Sequence, residues 1–162
     1  MAKAIRVEAN TKELEKVMAS LTAANKCRVK VGILSKKNAR KGDVDESNAS
    51  IGAIHEFGSY SRNIPQRSFI KMPLTMKSGQ IVKEIKRLIQ ENLKNGDLMP
   101  LKLIKKIGVV AEGVIGQAFA SDGFGTWQPI SPATADRKGS EAILIETSQL
   151  QRSITSAVEK VG

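Results

Sequence analysis

The sequence predicts an α+β domain: a small, mostly antiparallel sheet packed against two longer helices, with long flexible loops. Three observations predict it. Cys27, Val29, Val31 and Ile33 alternate with Arg28 and Lys30, the period-two pattern of a half-buried strand. Two long stretches, one carrying Ile81, Ile85, Leu88, Ile89 and Leu93 and the other Leu103, Ile104, Ile107, Ala111, Val114, Ile115, Ala118 and Phe119, place apolar residues at helical spacing. Strand-like segments also stand toward both ends with the helices between them, the order expected when helices cover one face of an antiparallel sheet. A length of 162 residues is that of one ordinary domain, able to bury its apolar surface around a single core.

The elements follow in order. Ile5 and Val7 alternate with Arg6 and Glu8, a short strand. Asn10 or Thr11 then caps a helix whose Leu14, Val17, Met18 and Leu21 recur at helical spacing, ending near Asn25. After the strand from Cys27, residues 35–48 carry Lys36, Lys37, Arg40 and Lys41 and then Asp43, Asp45 and Glu46 without apolar periodicity, so a mobile loop is expected. Ser47 or Asn48 caps a short helix carrying Ile51, Ile54 and Phe57, and Gly58 suits the left-handed position just past its end. Residues 59–68 form a second loop. A helix begins near Ser78 and stops at Asn95-Gly96, and Pro100 suits the first turn of the next. Gly108, Gly113 and Gly116 cost that helix stability, which points to close packing against another backbone or to a helix bent or broken near Gly113. A loop from Ser121 to Ser140, an apolar run at Ile143 to Ile145 and a terminal strand from Ser153 to Val158 complete the chain.

Composition narrows the classes of function. No apolar stretch approaches the roughly 20 residues of a membrane span, and Met1 leads directly into alternating residues, so neither a membrane helix nor a secretory signal is expected. Cys27 is the single cysteine and His55 the single histidine, which excludes a disulfide within the chain and a cysteine- or histidine-rich metal site. The formal charge is +10, and the excess is concentrated: residues 77–106 hold Lys77, Lys83, Lys86, Arg87, Lys94, Lys102, Lys105 and Lys106 against Glu84, Glu91 and Asp97. Those helices present either a solvated face, a surface for an acidic protein, or one for DNA. Aromatic residues are only 4% and none interleaves with these lysines, which argues against stacking on single strands.

Catalytic patterns are lacking. His55 and Glu56 are adjacent on a helix and point about 100° apart, so they do not form an acid–base pair unaided. Cys27 lies on the apolar face of its strand, and no serine sits in an elbow or triad pattern. Asp43, Asp45 and Glu46 lack the ligand spacing of a calcium loop, and Gly123-Phe124-Gly125-Thr126 lacks the lysine and preceding strand of a phosphate loop. No catalytic residue, metal or cofactor is expected. Phe124 and Trp127 either fold back onto the core or serve as interface anchors.

Five segments carry a resemblance. They are Val31-Gly32-Ile33, His55 to Gly58, Ile64-Pro65-Gln66-Arg67-Ser68-Phe69, the two helices, and Trp127 to Ile154 with its Arg137-Lys138-Gly139 and Thr147-Ser148-Gln149-Leu150. In this order, over about three quarters of the chain, they resemble the tailed-phage virion morphogenesis proteins, also called tail completion or neck proteins. Where the family has glycine this chain has Ser148, and serine resists the positive φ of such a turn. The resemblance implies a non-enzymatic virion structural protein of the head-to-tail junction, made in the host cytoplasm. It implies a homo-oligomeric, often sixfold, ring between the connector or head-completion proteins and the tail tube or terminator. It leaves open a tail terminator capping the tube, and non-specific contact with DNA in the lumen; a basic DNA-binding protein is the competing class. Lys36, Lys37, Arg40 and Lys41, with Arg62 and Arg67 on the second loop and the aromatics Phe124 and Trp127, are the candidate partner-binding residues. The alternative for Pro65 to Phe69 is a structural turn that returns Phe69 to the core.

Overall fold

The computed structural model describes residues 11–39, 47–96, 99–139, 142–144 and 148–161. Helix α1 (Thr11–Asn25) leads into strand β1 (Cys27–Ile33) and a 3-10 turn (Ser35–Lys37). Helices α2 (Asn48–Phe57), α3 (Lys71–Met76), α4 (Ser78–Lys94) and α5 (Pro100–Ala120) follow, and then α6 (Pro132–Lys138), α7 (Gln149–Ser153) and strand β2 (Ile154–Lys160). Strands β1 and β2 pair antiparallel in register from Cys27 opposite Lys160 to Ile33 opposite Ile154. The α+β expectation is therefore met by a small antiparallel sheet packed on the long helix α5, with the long helix α4 against α5. The expected strand at Ile5 and Val7 lies outside the described residues.

The sheet packs on α5, which lies across both strands, while α1 and α4 flank α5. The crossing point explains one glycine. A Cβ on Gly108 would lie 2.8 Å from the Cβ of Ser156 and 3.5 Å from a methyl of Val29, so only a bare α-carbon lets the helix sit against both strands. Gly113 and Gly116 have no such neighbour within 4 Å, and α5 runs unbroken through them, so close packing at these two and a break at Gly113 are both corrected. The outer face of the sheet is charged, and Lys30 reaches Glu159 at 2.8 Å; that hydrogen bond holds the Glu159 carboxyl below its usual range.

Helix α2 departs from the apolar stripe expected of it. Ser47 caps it through its side chain, and Gly58 at φ 77 ends it, as anticipated. Its buried residues, however, are Asn48, Gly52 and Glu56, and Phe57 is 74% exposed. One small and two polar residues at four-residue spacing form the inward face, because the space opposite is filled by Ile33, Phe69 and Leu150, which crowd Gly52. Asn48 is held in turn by the ends of the loop before it, donating to the carbonyls of Lys37 and Ala39 at 3.1 and 3.2 Å. That loop is thus pinned at Lys37 to Ala39; its centre, with Arg40 and Lys41, lies outside the described residues.

The core gathers Phe69, Ile115, Ala118, Phe119, Trp127, Ile143 and Leu150. Phe119 sits between two rings, with Phe69 at 5.4 Å and Trp127 edge-on at 5.7 Å. Cys27, expected on an apolar face, is half-buried, its thiol 3.5 Å from the Ala23 carbonyl. Gly108→Ala is expected to destabilise by about 1–3 kcal/mol through overpacking, whereas Gly113→Ala stabilises by up to about 1 kcal/mol through helix propensity. Urea midpoints of the two variants check this, and shifts of the same sign would sink the crossing-point account.

Candidate functional site

The site begins at the C-terminal end of α2, where Glu56 is 7% exposed. One carboxylate oxygen accepts from the Ser68 hydroxyl at 2.7 Å and the Lys71 N–H at 2.9 Å. The other accepts from the N–H groups of Phe69 and Ile70 at 2.8 and 2.9 Å. These are donors that the start of α3 would otherwise leave without partners, and a carboxylate there also meets the positive end of the helix. Ser68 extends the network by accepting from the Met72 N–H at 2.9 Å. Glu56 is therefore a buried cap for a distant helix, tying residues 68–71 to α2.

The residues between α2 and α3 fold back along the same helix. Gly58 permits it, since its φ of 77 reverses the chain and a Cβ would lie 3.0 Å from the Gln66 nitrogen. A bridge from Ser59 to Ile64 closes the turn, and the Arg67 N–H donates to the His55 carbonyl at 2.8 Å. At the tip Tyr60 is fully exposed, and Arg62 is exposed beside it.

Two further contacts draw in the segment after α5. The Trp127 indole N–H donates to the Ser68 carbonyl at 3.1 Å, and Arg67 donates from Nε to the Gln128 carbonyl at 2.9 Å and from Nη2 to the Pro129 carbonyl at 3.1 Å. Arg67 and Trp127 are each 6% exposed. Trp127 is corrected from interface anchor to part of the core against Phe119, and Arg67 is corrected from an exposed loop residue to a guanidinium 6% exposed that clamps two loops at the wall of a cavity. The alternative for Phe69 holds, since its ring is completely buried. Phe124 is half-buried, with the Lys77 ammonium 4.5 Å from its ring centre. The turn carrying it needs a run of positive φ from Asp122 to Gly125, and a Cβ on Gly123 would overlap the indole. Lys36 and Lys37 are exposed on the 3-10 turn and do not line the cavity described next.

Beside this knot lies a cavity of about 710 Å³, bounded by α2, the 59–67 turn, residues 128–131, α6 and the start of α7. Arg67 and Arg137 both line it, with His55, Asn63, Ser131 and Thr134. No aspartate or glutamate is among the described residues that do so. Burial pulls the Arg67 pKa down from the ordinary arginine range. The arrangement offers hydrogen-bond donors and positive charge to a ligand entering from solvent. Arg137 and Tyr60 were missed because nothing local in the sequence marks a residue that reaches a cavity built by several separate segments. Glu56 left a fainter signal, the spacing Asn48, Gly52, Glu56. Among the described residues no group of three or more His, Cys, Asp or Glu side chains could hold a metal ion, and no helix is long and apolar enough to cross a membrane.

No protein-family model, no curated protein and no solved structure matches this chain.

Ser148 does take the left-handed conformation, at φ 55 and ψ 12, at the start of α7 and on the cavity wall. Ser148→Gly is expected to raise stability by up to about 1 kcal/mol by relieving that backbone, and an unchanged or lower melting temperature would contradict it. Glu56→Ala is expected to cost about 3–5 kcal/mol, because buried donors lose their acceptor. Glu56→Gln, with one oxygen in place of two, costs on the order of 2 kcal/mol. Urea unfolding measures both, and a loss below 1 kcal/mol for the alanine variant would refute the capping role.

Proposed function

We propose that this chain is a structural protein of the tailed-phage head-to-tail junction, joining tail to head by assembling as a ring, often sixfold, between connector and tail. The observation that carries this reading is convergence. The segments on which the resemblance rests, His55 to Gly58, Ile64 to Phe69 and the stretch from Trp127, meet through Glu56, Arg67 and Trp127 in one hydrogen-bonded cluster. Motifs matched by accident have no reason to meet in space, whereas motifs of one family are expected to build one local structure.

Two surface features suit assembly. Within the described residues the sheet has two strands, so each presents an outer edge that a neighbouring subunit can extend. Exposed apolar side chains also cluster by element: Leu14, Met18 and Leu21 along one side of α1, and Phe57 and Tyr60 around the end of α2. The reading is of binding without turnover, through shape and charge matching, with the exposed Lys36, Lys37 and Arg62 as contacts for acidic neighbours. A tail terminator at the tip of the tube is the alternative the same motif order allows. Sequence-independent DNA binding is favoured by the exposed Lys83, Lys86, Lys94, Lys102, Lys105 and Lys106 on α4 and α5. Arg87 contributes less to it, being paired with Glu84 and Glu91 on its own helix.

Antibody labelling of virions is expected to mark the junction, and particles made without the chain are expected to accumulate as separate heads and tails. Light scattering on the purified chain, at low and moderate salt and with duplex DNA, is expected to show a mass unaffected by DNA. A DNA complex that dissolves with salt, together with unlabelled virions, would overturn the junction reading in favour of DNA binding.

A further inference from the structure

Arg67 is a buried cation with no carboxylate partner among the described residues. Its guanidinium is fixed by the Gln128 and Pro129 carbonyls, which orient it but carry no charge to neutralise it. Each of the ion pairs formed among the described residues belongs to Lys30 or Arg87. Burying a charge is costly unless an opposite charge meets it, and a chain that keeps such a group at the wall of a cavity holds a place for an anion. Arg137 on α6 borders the same cavity and adds a second guanidinium. Ser131 and Thr134 add hydroxyls, and Ile64, Ile130 and Leu144 supply apolar wall.

We propose that the cavity between Arg67 and Arg137 binds the side-chain carboxylate of an acidic segment of a partner protein, with apolar residues flanking that carboxylate. Its planar fork suits Arg67 to a carboxylate, and the two carbonyls hold the fork in one orientation before the ligand arrives. A mixed polar and apolar wall fits a peptide that brings its own apolar side chains. Duplex DNA fits poorly, because a phosphate on a stiff, wide rod does not reach a guanidinium that is 6% exposed. The inference deepens the junction reading by naming the partner's chemistry, and it rests on that reading only for the source of the segment.

The test titrates the full-length chain with the peptide Ac-Leu-Pro-Glu-Ile-Leu-NH2, with its glutamine counterpart, with inorganic phosphate and with duplex DNA. The single histidine and single tryptophan are the NMR reporters, since His55 lines the cavity and Trp127 adjoins the Arg67 acceptors. The glutamate peptide is expected to bind at least tenfold more tightly than the glutamine one. Arg137→Gln, an exposed position, is expected to weaken the glutamate peptide about tenfold with folding unchanged, and Arg67→Lys to weaken it further. Equal binding of the two peptides, tighter binding of phosphate or DNA, or an Arg137→Gln chain that binds as the natural one does would overturn the proposal. Glu146 lies outside the described residues. If only a Glu146→Gln chain binds the peptide, the anion is the chain's own and the partner assignment falls. Failure here with junction labelling intact sinks this inference alone; peptide binding by a chain absent from virions sinks the junction reading alone.

Discussion

The acceptance of four hydrogen bonds by the buried carboxylate of Glu56 is the constraint on which the rest of the structure depends. The N–H groups of Phe69, Ile70 and Lys71 lead into α3, and a single side chain from another helix accepts from all three, the Phe69 bond being fully buried. That fixes where Phe69 enters the core. The Phe69 ring then orders Phe119, and Phe119 orders Trp127. The Trp127 indole returns to the Ser68 carbonyl, one residue from where the chain of contacts began. The loop is closed, so no member can move without unpairing a buried polar group.

The same closure makes the cavity. Because residues 66–72 are held to α2 on one side and to residues 127–129 on the other, Arg67 is carried inside with its acceptors already chosen. A surface arginine would exchange partners with water. Here two carbonyls orient it and no carboxylate among the described residues neutralises it, which leaves room for an anion to do so. The proposed binding cavity and the structural knot thus share residues, so order in one would be pre-organisation for the other.

The basic surface is a separate matter. The lysines of α4 and α5 are exposed, and their charge acts by long-range field, which salt screens. The cavity arginines act at contact range and are screened far less. On the junction role proposed above, the long-range field would serve approach and the cavity arginines discrimination. Apolar side chains left exposed on α1 and around the end of α2 add area that a neighbour can cover.

The sequence by itself determined the elements that depend on local pattern. The strand from Cys27 to Ile33, the helices from Ser78 and Pro100, the Ser47 cap and the Gly58 stop all follow from spacing and from the backbone preferences of single residues. Of the site it made Arg67 legible as a charge worth watching, and Trp127 as an aromatic with two fates. Tertiary structure alone decided between those fates, and it decided that Glu56 serves α3, that Gly108 and not Gly113 is a crossing point, and that Arg67 and Arg137 face one space. The physical reason is common to all. Whether a polar group is buried, and what meets it there, depends on which distant segments pack together, and with Glu56 and Phe69 thirteen residues apart, or Arg67 and Gln128 sixty-one apart, no local pattern records the meeting.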